Sequence, residues 1–164
     1  MTVTVTGGGM VMGEKETLLE LADGFIENEL ALAGLYDVCI DFLPAFKDVW
    51  ESLKKQEEAH AEVFRQIRCA IDEAHQSWSQ GRFFIQTLRL MTADIRKLTG
   101  EIRARSANPR YVVQHMMDTE NSLIESELTK AFLTKEERFQ ALLSKLQDET
   151  TFHRSSLRDI LRKI

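Results

Sequence analysis

Residues 50–60 read WESLKKQEEAH, and this stretch combines a helical apolar pattern with two ionisable residues. Leu53, Glu57 and His60 recur at spacings of four and three, which places them on one face of an α-helix. The pattern predicts a helix over about 46–76. Its inward face contains a carboxylate and an imidazole, which is costly unless the two groups find partners.

Helical periodicity of the same kind runs through most of the chain. Pro44 ends the first helix, and Pro109 suits the first turn of the fourth. Thr134, followed three residues later by Glu137, resembles a capping box at the start of the last helix. In addition to 46–76, the pattern predicts helices over about 14–43, 83–102, 110–133 and 134–163.

These helices predict an all-α fold. The links before the second and the last helix are short, so each of these helices forms an antiparallel hairpin with the one before it. A long crossover with its own helix separates the two hairpins. The layout favours a four-helix bundle over an up-and-down bundle of five helices. We expect residues 1–13, which are rich in Thr and Gly, to be a flexible arm, and residues 14–164 to form the bundle domain.

The composition is typical of a folded globular chain. Of the 164 residues, 43% are hydrophobic and 29% are charged, and the net charge is −5. The acidic balance argues against a general nucleic-acid binder, and no apolar run is long enough to cross a membrane. Cys39 and Cys69 are isolated from each other, which excludes a rubredoxin-type module in this sequence and favours a reducing, cytoplasmic setting.

Each of the four long helices has an ionisable residue inside its apolar stripe. Four carboxylates at one level of a bundle would repel each other strongly, and two metal cations would remove that cost. Oxygen ligands with some imidazole suit iron or manganese. The sequence therefore predicts a two-metal site, with these candidate ligands: Glu29, Glu57, His60, Glu120, Glu149 and His153.

Spacing suggests a role for each candidate. Glu57 with His60, and Glu149 with His153, are close enough along their helices to reach one cavity. In this interpretation the acid of each pair bridges or chelates the metals, while Glu29 and Glu120 are terminal ligands. Other acids remain open as alternative ligands, and either Glu57 or its neighbour Glu58 could simply be solvated. The alternatives are Glu27, Glu58, Asp118 and Glu127.

Tyr36 lies two helical turns after Glu29, on the same face. It is either a hydrogen-bond partner of a ligand carboxylate, an electron relay, or a core residue with its hydroxyl at an edge.

The sequence resembles the ferritin-like superfamily, and within it the rubrerythrin-related and bacterioferritin-like di-iron proteins. The motifs that support the resemblance are ENELALAGLY at 27–36, WESLKKQEEAH at 50–60, MMDTENSLIE at 116–125 and LQDETTFHRSSL at 146–157. The second half departs from the family, because Thr150 stands where an ExxH motif would have its Glu. The resemblance implies a ferritin-like bundle with a di-iron site.

By this resemblance we expect an oxidoreductase that reduces peroxide or dioxygen with electrons from an external donor. Two alternatives remain: an iron-binding or ferroxidase protein, and a ferritin-like interaction module that has lost its metal. We also expect a homodimer, with the crossover helix around Phe84 and Leu88 covering either a neighbouring molecule or its own bundle.

Overall fold

The structure, a computed structural model, describes residues 13–164 and is mostly helical. It confirms the prediction of an all-α protein, with the addition of one small sheet. Residues 1–12 of the predicted arm lie outside the described residues. The helices are α1 (Glu14–Phe42), α2 (Lys47–Ala74), α3 (Ile85–Arg103), α4 (Pro109–Glu125) and α5 (Glu137–Leu161), and the strands are β1 (Trp78–Gln80) and β2 (Phe132–Thr134).

Two prolines mark helix ends as predicted. α1 ends at Phe42, and Pro44 opens a short 3₁₀ turn that leads into α2. Pro109 is the first residue of α4, where its missing N–H would have had no partner. The Asn108 side chain caps the same helix, since its Oδ1 accepts from the backbone N–H of Tyr111 at 3.2 Å.

The prediction was wrong between 126 and 136. The fourth predicted helix was to reach residue 133, but α4 ends at Glu125 and Glu127 adopts a left-handed conformation with φ 54°. The turn allows Phe132 to enter the core, where only 2% of it is exposed. Thr134 does not cap the last helix: it ends β2, and its Oγ1 accepts from the N–H of Glu136 at 3.2 Å.

The small antiparallel sheet joins the two hairpins. Trp78 lies opposite Thr134, and Gln80 opposite Phe132. Strands of three residues are too short to show the alternation that predicts a strand, so the sheet was missed. Gly81 follows β1, and a Cβ there would lie 1.5 Å from the Lys130 carbonyl oxygen, so only glycine allows this close approach.

Pairs between side chains give the helix directions. Lys15 and Asp72 form an ion pair at one end of α1 and α2, and Lys54 and Asp37 form one towards the other. Early residues of α1 thus meet late residues of α2, and the two helices are antiparallel.

α3 lies along α1 and runs in the same direction. Arg89 pairs with Glu20 and Arg96 with Glu27, so the chain order is the same in both helices. Leu88 of α3 is fully buried, so α3 covers its own bundle. α3 therefore carries the chain back to the end of the molecule at which α1 ends, and α4 starts from there.

The second hairpin is antiparallel as well. Arg154 of α5 donates to Asn121 of α4 at 3.2 Å, and Gln147 donates to the Ile124 carbonyl at 3.2 Å. α5 also runs antiparallel to α2, because His60 contacts Glu149 while Gln56, earlier in α2, contacts His153, later in α5. α1 and α5 therefore point one way, and α2 and α4 the other.

In residues 13–164, no helix is long and apolar enough to cross a membrane.

Candidate metal centre

Five of the six predicted ligands are buried and meet between α1, α2, α4 and α5. α1 provides Glu29, α2 provides Glu57 and His60, α4 provides Glu120, and α5 provides His153, each with at most 2% of its surface exposed. Helical phase predicted all five positions. The alternative acids do not join them: Glu27, Glu58, Asp118 and Glu127 are all exposed.

Glu57 occupies the middle of this cluster, and its two oxygens face different histidines. Oε2 of Glu57 lies 2.9 Å from Nδ1 of His60, and Oε1 lies 3.0 Å from Nδ1 of His153. These three residues each offer a ligand atom within 4.8 Å of the other two. Each oxygen of this one carboxylate therefore faces a different imidazole nitrogen.

The remaining carboxylates complete two similar groups. Oε2 of Glu29 lies 3.7 Å from Nδ1 of His60, and Oε1 of Glu120 lies 3.5 Å from Nδ1 of His153. We define the first half-site as Glu29, His60 and Oε2 of Glu57. The second half-site is Glu120, His153 and Oε1 of Glu57.

Two atoms of the second half-site lack a hydrogen-bond partner among residues 13–164. Oε1 of Glu57 and Nδ1 of His153 are buried and only 3.0 Å apart, yet they are not aligned for a hydrogen bond. A buried polar atom left unpaired costs about 1–3 kcal/mol. A cation that accepts a lone pair from each atom would remove that cost, so the residues present fit a metal ion.

Burial and mutual charge shift the pKa values of the whole cluster. Burial, with a contribution from the Glu57 carboxylate, raises the pKa of Glu29 to about 8. Burial also raises the pKa of Glu120. Burial alone would raise the pKa of Glu57, but the imidazoles of His153 and His60 outweigh it and hold the pKa below its usual range.

The pKa values of the two histidines are shifted in the direction opposite to that of an isolated buried imidazole. Burial lowers their pKa values, but the neighbouring carboxylates outweigh it and raise the pKa of His60 to about 11 and that of His153 to about 10. In residues 13–164, these imidazoles are the only cationic groups within 4.0 Å of the three buried carboxylates. Protons therefore balance the charge of the metal-free cluster.

Glu149, the sixth predicted ligand, lies outside the central group. Its Oε2 is 2.9 Å from Nε2 of His60, the ring nitrogen opposite to the one that faces Glu57. About 35% of its side chain is exposed, and Lys145 lies 3.6 Å from its other oxygen. The structure places Glu149 behind a predicted ligand rather than beside the other carboxylates.

Gln56 was missed by the sequence analysis. Its Oε1 accepts from Nε2 of His153 at 2.7 Å, while its amide nitrogen donates to Ser52 Oγ at 3.1 Å. An amide oxygen can only accept, so Nε2 of His153 holds the proton of that bond. The sequence did contain a signal for Gln56. It precedes His60 by four residues, which is the same spacing that separates Glu149 from His153.

Thr150 takes the position in α5 that Glu57 has in α2, three residues before the histidine. It is 3% exposed, and its hydroxyl donates to the Leu146 carbonyl at 2.8 Å. The cluster therefore has three buried carboxylates rather than four.

Tyr36 is fully buried next to the second half-site. Its hydroxyl donates to Oε1 of Glu120 at 2.6 Å, and its ring stacks on Trp50 with centroids 6.1 Å apart. This geometry agrees with the interpretation of Tyr36 as a hydrogen-bond partner of a ligand carboxylate.

Comparison with known proteins gave no similarity to report: no family model matches the chain, and no curated protein or solved structure matches it.

Proposed function

We propose that this chain is a ferritin-like di-metal carboxylate protein that binds two iron ions, or manganese, in the two half-sites. The observation that supports the metal most directly is the unpaired couple formed by Oε1 of Glu57 and Nδ1 of His153. Both atoms are buried, and neither has a hydrogen-bond partner among residues 13–164.

The helix directions support the ferritin-like part of the proposal. α1 and α5 point one way and α2 and α4 the other, which is the arrangement of a bundle with one long crossover. In this proposal α3, which lies between the two hairpins in the chain, is that crossover.

The chemistry we propose is the reduction of peroxide or dioxygen by an oxidoreductase that depends on an external electron donor. Reduction of peroxide to two waters consumes two electrons and two protons, and two ferrous ions can supply the electrons. The protein holds the ligands, excludes bulk water and keeps a proton on Tyr36 beside Glu120.

The experiment is stopped-flow oxidation of the anaerobically iron-loaded protein, with peroxide and dioxygen as separate oxidants. We expect faster oxidation by peroxide in the wild type and loss of this reaction in Glu57→Ala, with Glu58→Ala as the exposed control. Equal rates in wild type and Glu57→Ala would overturn the proposal. Uptake of far more than two irons per chain would instead indicate a ferroxidase.

A metal-free interaction module is the second candidate, and one observation favours it. His60 and His153 already neutralise Glu57, so the cluster can be buried without a metal. A ligand that binds only the native state must stabilise it. A melting temperature that does not change with iron or manganese would support this second candidate.

A further inference from the structure

Gln56 and Glu149 occupy equivalent positions in the antiparallel pair formed by α2 and α5. Each lies four residues before the histidine of its own helix. Because the two helices are antiparallel, each reaches the histidine of the other helix: Glu149 accepts from Nε2 of His60, and Gln56 accepts from Nε2 of His153. Both imidazoles are thereby oriented with Nδ1 towards Glu57.

The two partners differ in charge. A carboxylate that accepts from the outer N–H of an imidazole raises the basicity of the inner nitrogen, whereas a neutral amide does so less. His60 has the carboxylate and His153 the amide. The ion pair with Lys145, on an exposed stretch of α5, reduces the effect of Glu149 only in part, since the contact is 3.6 Å and screened by water.

A second difference between the half-sites also favours tighter metal binding in the first. The Tyr36 hydroxyl donates to Glu120 at 2.6 Å and draws electron density from an oxygen of the second half-site. In the first half-site, the carboxylate of Glu29 has no tyrosine or serine donor among the hydrogen bonds of residues 13–164.

Resting on the metal centre proposed above, we infer that Glu149 and Gln56 are positioning residues that make the half-sites unequal. The first half-site binds its ion tightly and fills first. The second half-site fills only at higher free metal, so the two-metal state follows the availability of the metal.

The test is an anaerobic titration of the metal-free protein with cobalt(II), followed by its absorption bands. Loss of a hydrogen-bond partner behind a ligand typically changes metal affinity by about 10–100-fold. We expect two binding steps in the wild type, with dissociation constants about tenfold or more apart. Glu149→Gln should weaken the first step, and Gln56→Glu should strengthen the second, by about tenfold each.

The double variant Gln56→Glu/Glu149→Gln should reverse the order of filling, which a merely structural role would not do. The order is read from the shifted Nε2–H resonances of the histidines in nuclear magnetic resonance spectra at one equivalent of cobalt. Glu58→Gln, an exposed acid on α2, is the matched control and should change neither step.

The outcomes separate the two proposals. Two cobalt ions bound with equal affinity, or single steps that change less than about twofold in both variants, would overturn the inequality and leave the metal centre standing. No cobalt bound by the wild type would overturn the metal centre and this inference with it.

Discussion

Metal loading of the cluster should release protons, and their number follows from the site. In the metal-free protein the pKa values of His60, His153 and Glu29 are about 11, about 10 and about 8. All three groups are therefore protonated at pH 7. Metal ligands must be deprotonated, so binding should release about three protons per chain.

The same three groups would release far fewer protons if their pKa values were the ordinary ones. An unperturbed histidine is only about one-quarter protonated at pH 7, and an unperturbed glutamic acid hardly at all, so about half a proton would appear. The direction of the pH dependence follows. Because protons compete with the metal, affinity should rise with pH, by up to about tenfold per pH unit for each proton released.

The assay is calorimetric titration with manganese(II) in two buffers of different ionisation enthalpy, which counts the protons. His115→Gln, a change outside the cluster, is the control and should release the same number. Release of about half a proton or fewer at pH 7 would refute the account of a proton-balanced cluster.

Three further predictions concern the cluster and the residues next to it. The unfolding free energy of the metal-free protein should fall as pH rises from 7 to 10. The reason is that the folded state holds protons on His60 and His153 that the unfolded state loses near pH 6.5. Urea denaturation at both pH values measures the change, and a higher unfolding free energy at pH 10 would contradict the prediction. Tyr36→Phe should cost about 1–3 kcal/mol in the same assay by removing the donor to Glu120, and an unchanged midpoint would contradict the hydrogen bond. Thr150→Glu should lower the melting temperature of the metal-free protein and increase its rise with manganese(II), since a fourth buried acid is costly without a cation; an equal rise in wild type and variant would count against the site.

The helix pattern and the buried ionisable residues were within reach of the sequence. Pro44 and Pro109 mark helix ends by their covalent structure, which no tertiary contact alters. Glu29, Glu57 and Glu120 lie in phase with apolar neighbours, and burial of the helix face buries them too. Periodicity is sufficient for both inferences.

Two features depended on contacts that no local pattern encodes. Phe132 leaves the helical path because it packs against Phe25 and Trp78, so long-range packing overrides helix propensity after Glu125. Glu149 and Thr150 are adjacent, and successive residues of a helix point about 100° apart. Because of that rotation, one of the two positions faces the central cluster and the other lies behind His60. The spacing from His153 alone does not tell which position does which.

The metal content of the protein tests the central claim most directly. The protein is loaded anaerobically with ferrous iron, desalted and analysed for iron, beside the variants Glu57→Ala and Glu58→Ala. The account predicts about two irons per wild-type chain, a marked loss in Glu57→Ala and no change in Glu58→Ala. No bound iron in the wild type, or equal iron in the two variants, would contradict it.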